Sequence, residues 1–309
     1  VSISPDRRHL LVGAESPVAK DSSKLHIYDL ESGQPLCTLH GPKRATTSVG
    51  WSPDGLNVAC GSYDHRAYVW KVDWLPKPED IKSREDVRNL QQERHRLDGF
   101  DDDVSCVAWR PDLTELNGTA GPLLLATASA DGSVALWDGA NGRKKWKFHV
   151  PPREEPEGAN GSDSDSDDED PAEQRKRAFE QRRRSVHTMA WSLDGTQLVT
   201  GHLNGMMHVV TMEGQVLHAW QAHKELVRCV CVSMEGLVAS CSHDSSICVW
   251  RAKEGRGGHG GDSTAAAKAA FPVDDGMQAQ PVSEAGGQEE LIVLAEELAE
   301  LGTGTQAAA

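Results

Sequence analysis

The chain has 309 residues and is acidic, because 32 Lys and Arg residues face 47 Asp and Glu residues for a formal net charge of −15. That charge repels a phosphate backbone, so the body of the protein is not expected to bind nucleic acid. No apolar run approaches the about 20 residues of a membrane helix, so no membrane partner is expected. The seven cysteines show no metal-ligand spacing, which indicates reduced thiols and a protein of the cytoplasm, the nucleus or both.

A short sequence unit recurs along the chain. It starts with an apolar run that ends in a polar turn, as in VGWSPDG from Val49 to Gly55. Two further apolar runs follow, joined by a tight turn, as in LATASADGSVALWD from Leu125 to Asp138. Asp-Gly is typical of such hairpins because it tolerates a positive φ. Imperfect copies of this four-strand unit lie at about 1–40, 46–98, 104–150, 186–222 and 227–252, which predicts a repeat protein.

An Asp precedes a Trp by six residues in three copies. These pairs are Asp64 and Trp70, Asp131 and Trp137, and Asp244 and Trp250. The fourth copy has Asn204 and Val210 at this spacing, and the first ends in Tyr28-Asp29.

These motifs resemble those of the WD-repeat family, whose fold is a β-propeller of four-stranded blades. The resemblance covers residues 1–253 apart from two inserts and implies an all-β propeller with about five blades present. Seven blades are commonest in the family, so the chain is predicted to be the C-terminal part of a larger propeller. A closed five-bladed ring is the alternative.

The family also has a buried hydrogen-bonded group of His, Ser or Thr, Asp and Trp. The resemblance transfers this tetrad fully to the last copy only, as His223, Ser240 or Ser242, Asp244 and Trp250. Two other copies keep the Asp and the Trp, at Asp64, Trp70, Asp131 and Trp137. Because these copies lack the His, we expect them to depend more on apolar packing.

In the family, the residue before the tetrad Asp often lies on the binding face. This position is occupied here by Tyr63, Ala130, Leu203 and His243. Tyr63 and His243 are the candidate partner-binding residues, since aromatic and amphipathic side chains make good anchors. The alternative is that they only cover the turn.

Two inserts interrupt the repeats. The first, 73–94, is charged and predicted to be partly helical, either as a solvated excursion or as a docking arm. The second, 151–185, has an acidic run followed by a basic one and is predicted to be disordered. Its serines followed by an acidic residue three positions later are candidate phosphosites: Ser162, Ser164 and Ser166. The basic run from Arg175 to Arg184 indicates a charge-compensated loop, a nuclear-import signal or a nucleic-acid contact.

The C-terminal part has a different composition. A flexible linker is predicted for 254–287, an amphipathic helix for 288–301 and a disordered tail for 302–309. The helix would pack on the propeller or lie in the groove of a partner.

The sequence contains no nucleotide-binding, hydrolase or metalloprotease motif, and the repeated Asp residues fit structural turn positions. We therefore expect a protein that is not an enzyme, with no cofactor and no metal site. Its predicted function is a scaffold that assembles a multiprotein complex through propeller loops, with other proteins as partners. The alternatives are a nuclear ribonucleoprotein or chromatin-assembly factor, a ubiquitin-ligase substrate receptor and a microtubule-associated propeller.

Overall fold

The computed structural model describes residues 1–14, 23–73, 75, 88–90, 95–111, 121–149, 185–233 and 236–250. Every helix or strand within these ranges is a β-strand. The described part of the chain accordingly has no helix that is long and apolar enough to cross a membrane.

Twenty strands are present in these ranges. In chain order they are β1 (Ser2–Ile3), β2 (His9–Ala14), β3 (Lys24–Asp29), β4 (Pro35–His40), β5 (Thr46–Trp51), β6 (Asn57–Ser62), β7 (Arg66–Lys71), β8 (Arg88–Leu90), β9 (His95–Leu97), β10 (Val104–Trp109), β11 (Leu124–Ser129), β12 (Ser133–Asp138), β13 (Lys144–His149), β14 (Val186–Trp191), β15 (Gln197–His202), β16 (Met206–Thr211), β17 (Val216–Gln221), β18 (Val227–Val232), β19 (Val238–Ser242) and β20 (Ile247–Trp250).

The strands form five sheets in which chain neighbours pair antiparallel. The first sheet has the order β1-β2-β3-β4-β8, the second β5-β6-β7-β9, the third β10-β11-β12-β13, the fourth β14-β15-β16-β17 and the fifth β18-β19-β20. This confirms the predicted all-β fold with five blade-like sheets. The described residues do not close these sheets into a ring, so the five-bladed ring is not the arrangement observed.

The second strands of the second, third and fourth sheets are covered on both faces. All residues of β6, β11 and β15 are buried, whereas β13 and β17 at the sheet edges are largely half-buried or exposed. A strand sandwiched between neighbouring sheets reads as a continuous run of apolar and small residues, without polar alternation. This explains the uninterrupted runs found in the sequence.

The sheets stand side by side with their first strands aligned. The Trp109 indole donates a hydrogen bond to the Gly50 carbonyl at 3.2 Å, and the Trp191 indole repeats this contact with Ala108 at 3.0 Å. Each contact joins the last residue of one first strand to the penultimate residue of the preceding one. The first strands of the second, third and fourth sheets therefore run parallel, and their corresponding ends lie on the same side.

Apolar clusters fill the spaces between adjacent sheets. Trp51 and Trp70 of the second sheet pack with Leu25 of the first, and Trp137 of the third packs with Val69 of the second. Two further clusters join the third sheet to the fourth and the fourth to the fifth. Burial of each large side chain contributes about 1.5–3 kcal/mol, so inter-sheet packing is the main stabilising contact between the repeats.

Part of the first insert, which was predicted to be partly helical, forms a strand instead. Arg88–Leu90 forms strand β8, which pairs parallel to β4 at the edge of the first sheet. Pairing satisfies backbone groups that the edge of β4 would otherwise present to solvent. Most of the rest of this insert lies outside the described residues.

Several other predictions also fall outside the described ranges. They concern 151–184 with the candidate phosphosites and the basic run, the linker 254–287, the helix 288–301 and the tail 302–309.

Candidate interaction face

The second to fifth sheets share one turn geometry between their second and third strands. In each, the residue before the turn Asp or Asn donates its backbone N–H to the residue that precedes the first strand. The four bonds are Tyr63 to Ala45 at 3.0 Å, Ala130 to Asp103 at 2.8 Å, Leu203 to Ser185 at 3.0 Å and His243 to Leu226 at 3.0 Å. Because the sheets stand side by side, these four positions lie on one face of the molecule. We call Tyr63, Ala130, Leu203 and His243 the turn face.

The residue after the turn Asp or Asn has a left-handed backbone in all four sheets. Glycine occupies this position in two of them, Gly132 with a φ of 84° and Gly205 with a φ of 81°. The other two have His65 with a φ of 65° and Ser245 with a φ of 67°. A positive φ costs little for glycine but is uncommon for other residues. The four turns therefore share one backbone shape even where the residue is not glycine.

The turn face exposes side chains suited to binding a partner. Tyr63 is 47% exposed and Leu203 is 38% exposed. His243 is also exposed, and Ala130 is half-buried. The structure thus brings both candidate partner-binding residues to one face and adds Leu203 as a third exposed side chain.

The fifth sheet brings together the tetrad of the family. The Trp250 indole donates to the Ser240 hydroxyl at 2.9 Å, and that hydroxyl lies 2.7 Å from His223 Nε2. The Ser246 hydroxyl donates to Asp244 Oδ1 at 2.5 Å, so the Ser246 oxygen and the acceptor-only Asp244 carboxylate both face a donating His223 Nδ1–H. Nδ1 lies 3.4 Å from the Asp244 carboxylate and 2.8 Å from the Ser246 hydroxyl.

Of the two candidate serines, Ser240 is the tetrad hydroxyl. Ser242 instead accepts the backbone N–H of Asp244 at 3.1 Å and donates to the Glu225 carbonyl at 3.2 Å. Burial raises the pKa of Asp244, but hydrogen bonds from Ser246 and the Lys224 backbone outweigh it and hold that pKa well below its usual range. The turn carboxylate is therefore ionised.

The second sheet uses a tyrosine in place of the missing His. The Tyr68 hydroxyl donates to Asp64 Oδ2 at 2.7 Å, and the backbone N–H of Lys43 donates to the same oxygen at 2.8 Å. Burial and the bond to Asp64 raise the pKa of Tyr68, so the phenol keeps its proton. The Trp70 indole donates to the His40 carbonyl at 3.3 Å.

The third sheet has a lysine beside the turn Asp in place of the missing His. Lys147 Nζ lies 3.1 Å from Asp131 Oδ2 and donates to the Gly99 carbonyl at 2.8 Å. Both side chains are largely buried, with 17% and 3% of their surface exposed. Phe100 packs against Trp137 with ring centroids 5.9 Å apart. It precedes the first strand of its sheet by four residues, as His223 does in the fifth sheet.

The fourth sheet lacks both the Asp and the Trp and has a histidine pair. His202 Nε2 lies 2.9 Å from the Thr200 hydroxyl and 2.8 Å from His208 Nδ1. Both imidazoles are buried. Burial lowers the pKa of His208 to about 4, so its ring is neutral at physiological pH.

The greater dependence of these sheets on apolar packing stays a prediction, but the second, third and fourth sheets also supply a buried polar group each. A buried carboxylate or hydroxyl without any partner is costly, which favours such groups. Tyr68 and His208 each follow the turn Asp or Asn by four residues, which is a spacing that sequence analysis could have used. Lys147 comes from a different strand and has no such spacing.

The charge on this side of the molecule changes from one sheet boundary to another. Between the second and third sheets, Asp102 and Asp103 lie beside His65. Between the fourth and fifth sheets, Arg228 Nη1 lies 3.2 Å from His187 Nε2. Burial, Arg228 and His243 together lower the pKa of His187, as expected where cationic groups converge.

Comparison with known proteins gives matches over much of the chain. The family described as "WD domain, G-beta repeat" matches residues 33–71, 91–138 and 214–251. THO complex subunit 3 of Arabidopsis thaliana is 25% identical over 241 residues, which cover 71% of this chain and 69% of that protein. Protein HIR1 of Yarrowia lipolytica is 27% identical over 165 residues, which cover 47% of this chain but 15% of that protein. A probable cytosolic iron-sulfur protein assembly protein 1 of Kluyveromyces lactis is 29% identical over 37% of this chain and 31% of its own length.

Proposed function

Because the chain belongs to the WD-repeat family, we propose that it is a non-catalytic scaffold that binds partner proteins on its turn face. One relative supports a role in assembly, since its name describes a subunit of a complex. A propeller fold itself is compatible with many functions, so the argument depends on the surface.

The observation that carries the proposal is the common anchoring of the four turns. Each turn-face residue is tied by a backbone hydrogen bond of 2.8–3.0 Å to the start of the first strand of its own sheet. Side chains on such a fixed backbone lose little further freedom on binding. Tyr63 and His243 therefore present anchors that are already positioned.

The turn carboxylates support this arrangement by binding the neighbouring loops. Asp64 and Asp244 each accept, at 2.8 Å, the backbone N–H of a lysine in the loop before the first strand of the sheet, Lys43 and Lys224 respectively. The buried network of a sheet thereby fixes the loop beside its turn-face residue. We infer that the tetrad and its substitutes serve binding by positioning the face and not by contacting the partner.

The proposal is tested by quantitative affinity purification of the full chain and of Tyr63→Ala and His243→Ala variants. We expect each substitution to lower recovery of the specific partners about tenfold, which corresponds to about 1.4 kcal/mol. Leu56→Ala is the matched control, because Leu56 is 44% exposed and lies between β5 and β6, at the opposite end of the second sheet from Tyr63. Equal losses for Leu56→Ala, or no loss for either turn-face variant, would overturn the proposal.

A nuclear assembly factor is the second candidate function, favoured by the acidic and then basic composition of residues 162–184. The basic run has the composition of an import signal. Deletion of 162–184 from a fluorescently tagged chain should abolish nuclear accumulation, and fusion of 175–184 to a reporter should confer it. Unchanged nuclear accumulation of the deleted chain would remove this candidate.

A further inference from the structure

We propose that His65, Asp102 and Asp103 form a binding site for a divalent transition-metal ion of the zinc class. The site lies at the boundary between the second and third sheets, beside the turn face. It does not depend on the partner-binding proposal, because it concerns the chain alone.

The three side chains converge from two different sheets. Each offers one ligand atom, and the three atoms lie within 4.8 Å of one another. His65 Nε2 and Asp103 Oδ1 are 3.8 Å apart. Bonds of about 2.0–2.2 Å to a tetrahedral ion place ligand atoms roughly 3.4 Å apart, so the site needs only small side-chain movements to close on a metal.

The backbone fixes both halves of the site. Asp103 offers its carbonyl to the Ala130 N–H at 2.8 Å, and Asp102 offers its carbonyl to the Ser129 hydroxyl at 3.2 Å. Asp102 Oδ1 accepts the Asp103 N–H at 2.8 Å, which orients the Asp102 carboxylate. On the other sheet, His65 directly follows Asp64, whose carboxylate is held by Tyr68 and Lys43.

The local electrostatics favour a cation. The carboxylates of Asp102 and Asp103 lie close together in a half-buried position, where like charges repel. A dication would relieve that repulsion directly.

The donor set selects the class of metal. One imidazole nitrogen with two carboxylate oxygens suits zinc or cobalt, whereas calcium and magnesium prefer oxygen ligands alone. Since all three residues are only half-buried, water or a donor from a partner would complete the coordination.

The test uses the purified full chain, stripped with a chelator and titrated with Co²⁺, followed by competition with Zn²⁺. We expect one cobalt per chain, a visible d–d absorption without a thiolate charge-transfer band, and displacement by zinc. Zinc at about 100-fold excess over its Kd should raise Tm by several degrees. Asp103→Asn and His65→Gln should each weaken binding at least about tenfold, in line with loss of one of three ligands.

Two controls separate this site from others. His243→Gln removes an exposed imidazole elsewhere on the turn face and should leave cobalt affinity unchanged. Cys229→Ser and Cys231→Ser remove the exposed thiols of the fifth sheet and should also leave it unchanged. The melting temperature of each metal-free variant checks that it is folded.

The proposal is overturned by three results. One is the absence of stoichiometric cobalt binding, another is binding that survives both Asp103→Asn and His65→Gln, and the third is a thiolate band that disappears with the cysteine variants. None of these results bears on partner binding at Tyr63 and His243, which is measured in cells with a different readout.

Discussion

The third and fifth sheets keep the same turn but place different groups beside its carboxylate. In the third sheet the Trp137 indole donates to the Thr127 hydroxyl at 2.9 Å, and Lys147 faces Asp131. The fifth sheet has the equivalent indole-to-hydroxyl bond at 2.9 Å, but an imidazole faces its Asp. In both sheets a buried donor lies opposite the turn carboxylate, but a different residue supplies it.

The two solutions differ in what happens when the carboxylate is lost. Loss of Asp131 would leave the ammonium group of Lys147 in a largely buried position without the carboxylate that faces it, which is costly. An imidazole, unlike an ammonium group, needs no charge to accept and donate hydrogen bonds. The third sheet should consequently be the more sensitive of the two to loss of its turn Asp.

The largest predicted effect is that of Asp131→Ala. It leaves Lys147 buried without its carboxylate and removes the acceptor of the Ser133 and Asp101 N–H groups, at 2.8 Å and 3.0 Å. We expect a loss of about 3–5 kcal/mol in the free energy of unfolding, measured by urea denaturation. Asp138→Ala, at a more exposed turn of the same sheet, is the control and should cost about 1 kcal/mol. A loss below 1 kcal/mol for Asp131→Ala would contradict this account of the third sheet.

The next effect concerns pH and the histidine pair of the fourth sheet. The pKa of His208 is about 4 in the folded chain, below the ordinary value of 6.5. The unfolded chain therefore binds a proton first as pH falls, and stability should decrease between pH 6.5 and pH 4. Between pH 7 and pH 4.5 this contributes about 2.5 kcal/mol of destabilisation, which His208→Gln should remove. Parallel pH profiles for both chains would refute the assignment.

Asp244→Ala sharpens the comparison with the third sheet. It removes the acceptor of the Lys224 and Ser246 N–H groups, but His223 keeps Ser240 and Ser246 as partners. The expected cost is about 2 kcal/mol, below that of Asp131→Ala. If urea denaturation shows that Asp244→Ala costs as much unfolding free energy as Asp131→Ala, or more, the distinction between the sheet with Lys147 and the sheet with His223 is wrong.

The smallest predicted effect is that of Tyr68→Phe in the second sheet. The variant loses the bond to Asp64, but the carboxylate keeps the Lys43 N–H as a donor. A cost of about 1 kcal/mol is expected in the same denaturation assay. Tyr28→Phe is the matched control and should change stability by less than about 0.5 kcal/mol. A cost indistinguishable from that of the control would mean that Tyr68 does not replace the missing His.

Much of the fold was predictable because each repeat carries local information. Apolar runs, Asp-Gly turns and the Asp-to-Trp spacing predict the strands without knowledge of their partners. The position of Tyr63 and His243 on one face followed from the resemblance between repeats. Local patterns are sufficient wherever a contact joins residues of the same hairpin.

Contacts between distant segments could not be predicted in this way. His65 and Asp103 are separated by a strand pair and an insert and meet only because the second and third sheets stand side by side. Lys147 reaches Asp131 from the edge strand of its sheet, and β8 reaches β4 from within an insert. These contacts depend on how the sheets and strands are aligned, and no short sequence pattern specifies that alignment.

The most direct test of the central claim is site-specific photo-crosslinking in cells. A benzophenone-bearing phenylalanine analogue replaces Tyr63 in one chain and Leu56 in another, since both positions are exposed at opposite ends of the second sheet. We predict discrete crosslinked adducts with partner proteins from position 63 and none from position 56. Adducts from position 56 alone, or of equal yield from both positions, would contradict the assignment of the turn face as the partner-binding surface.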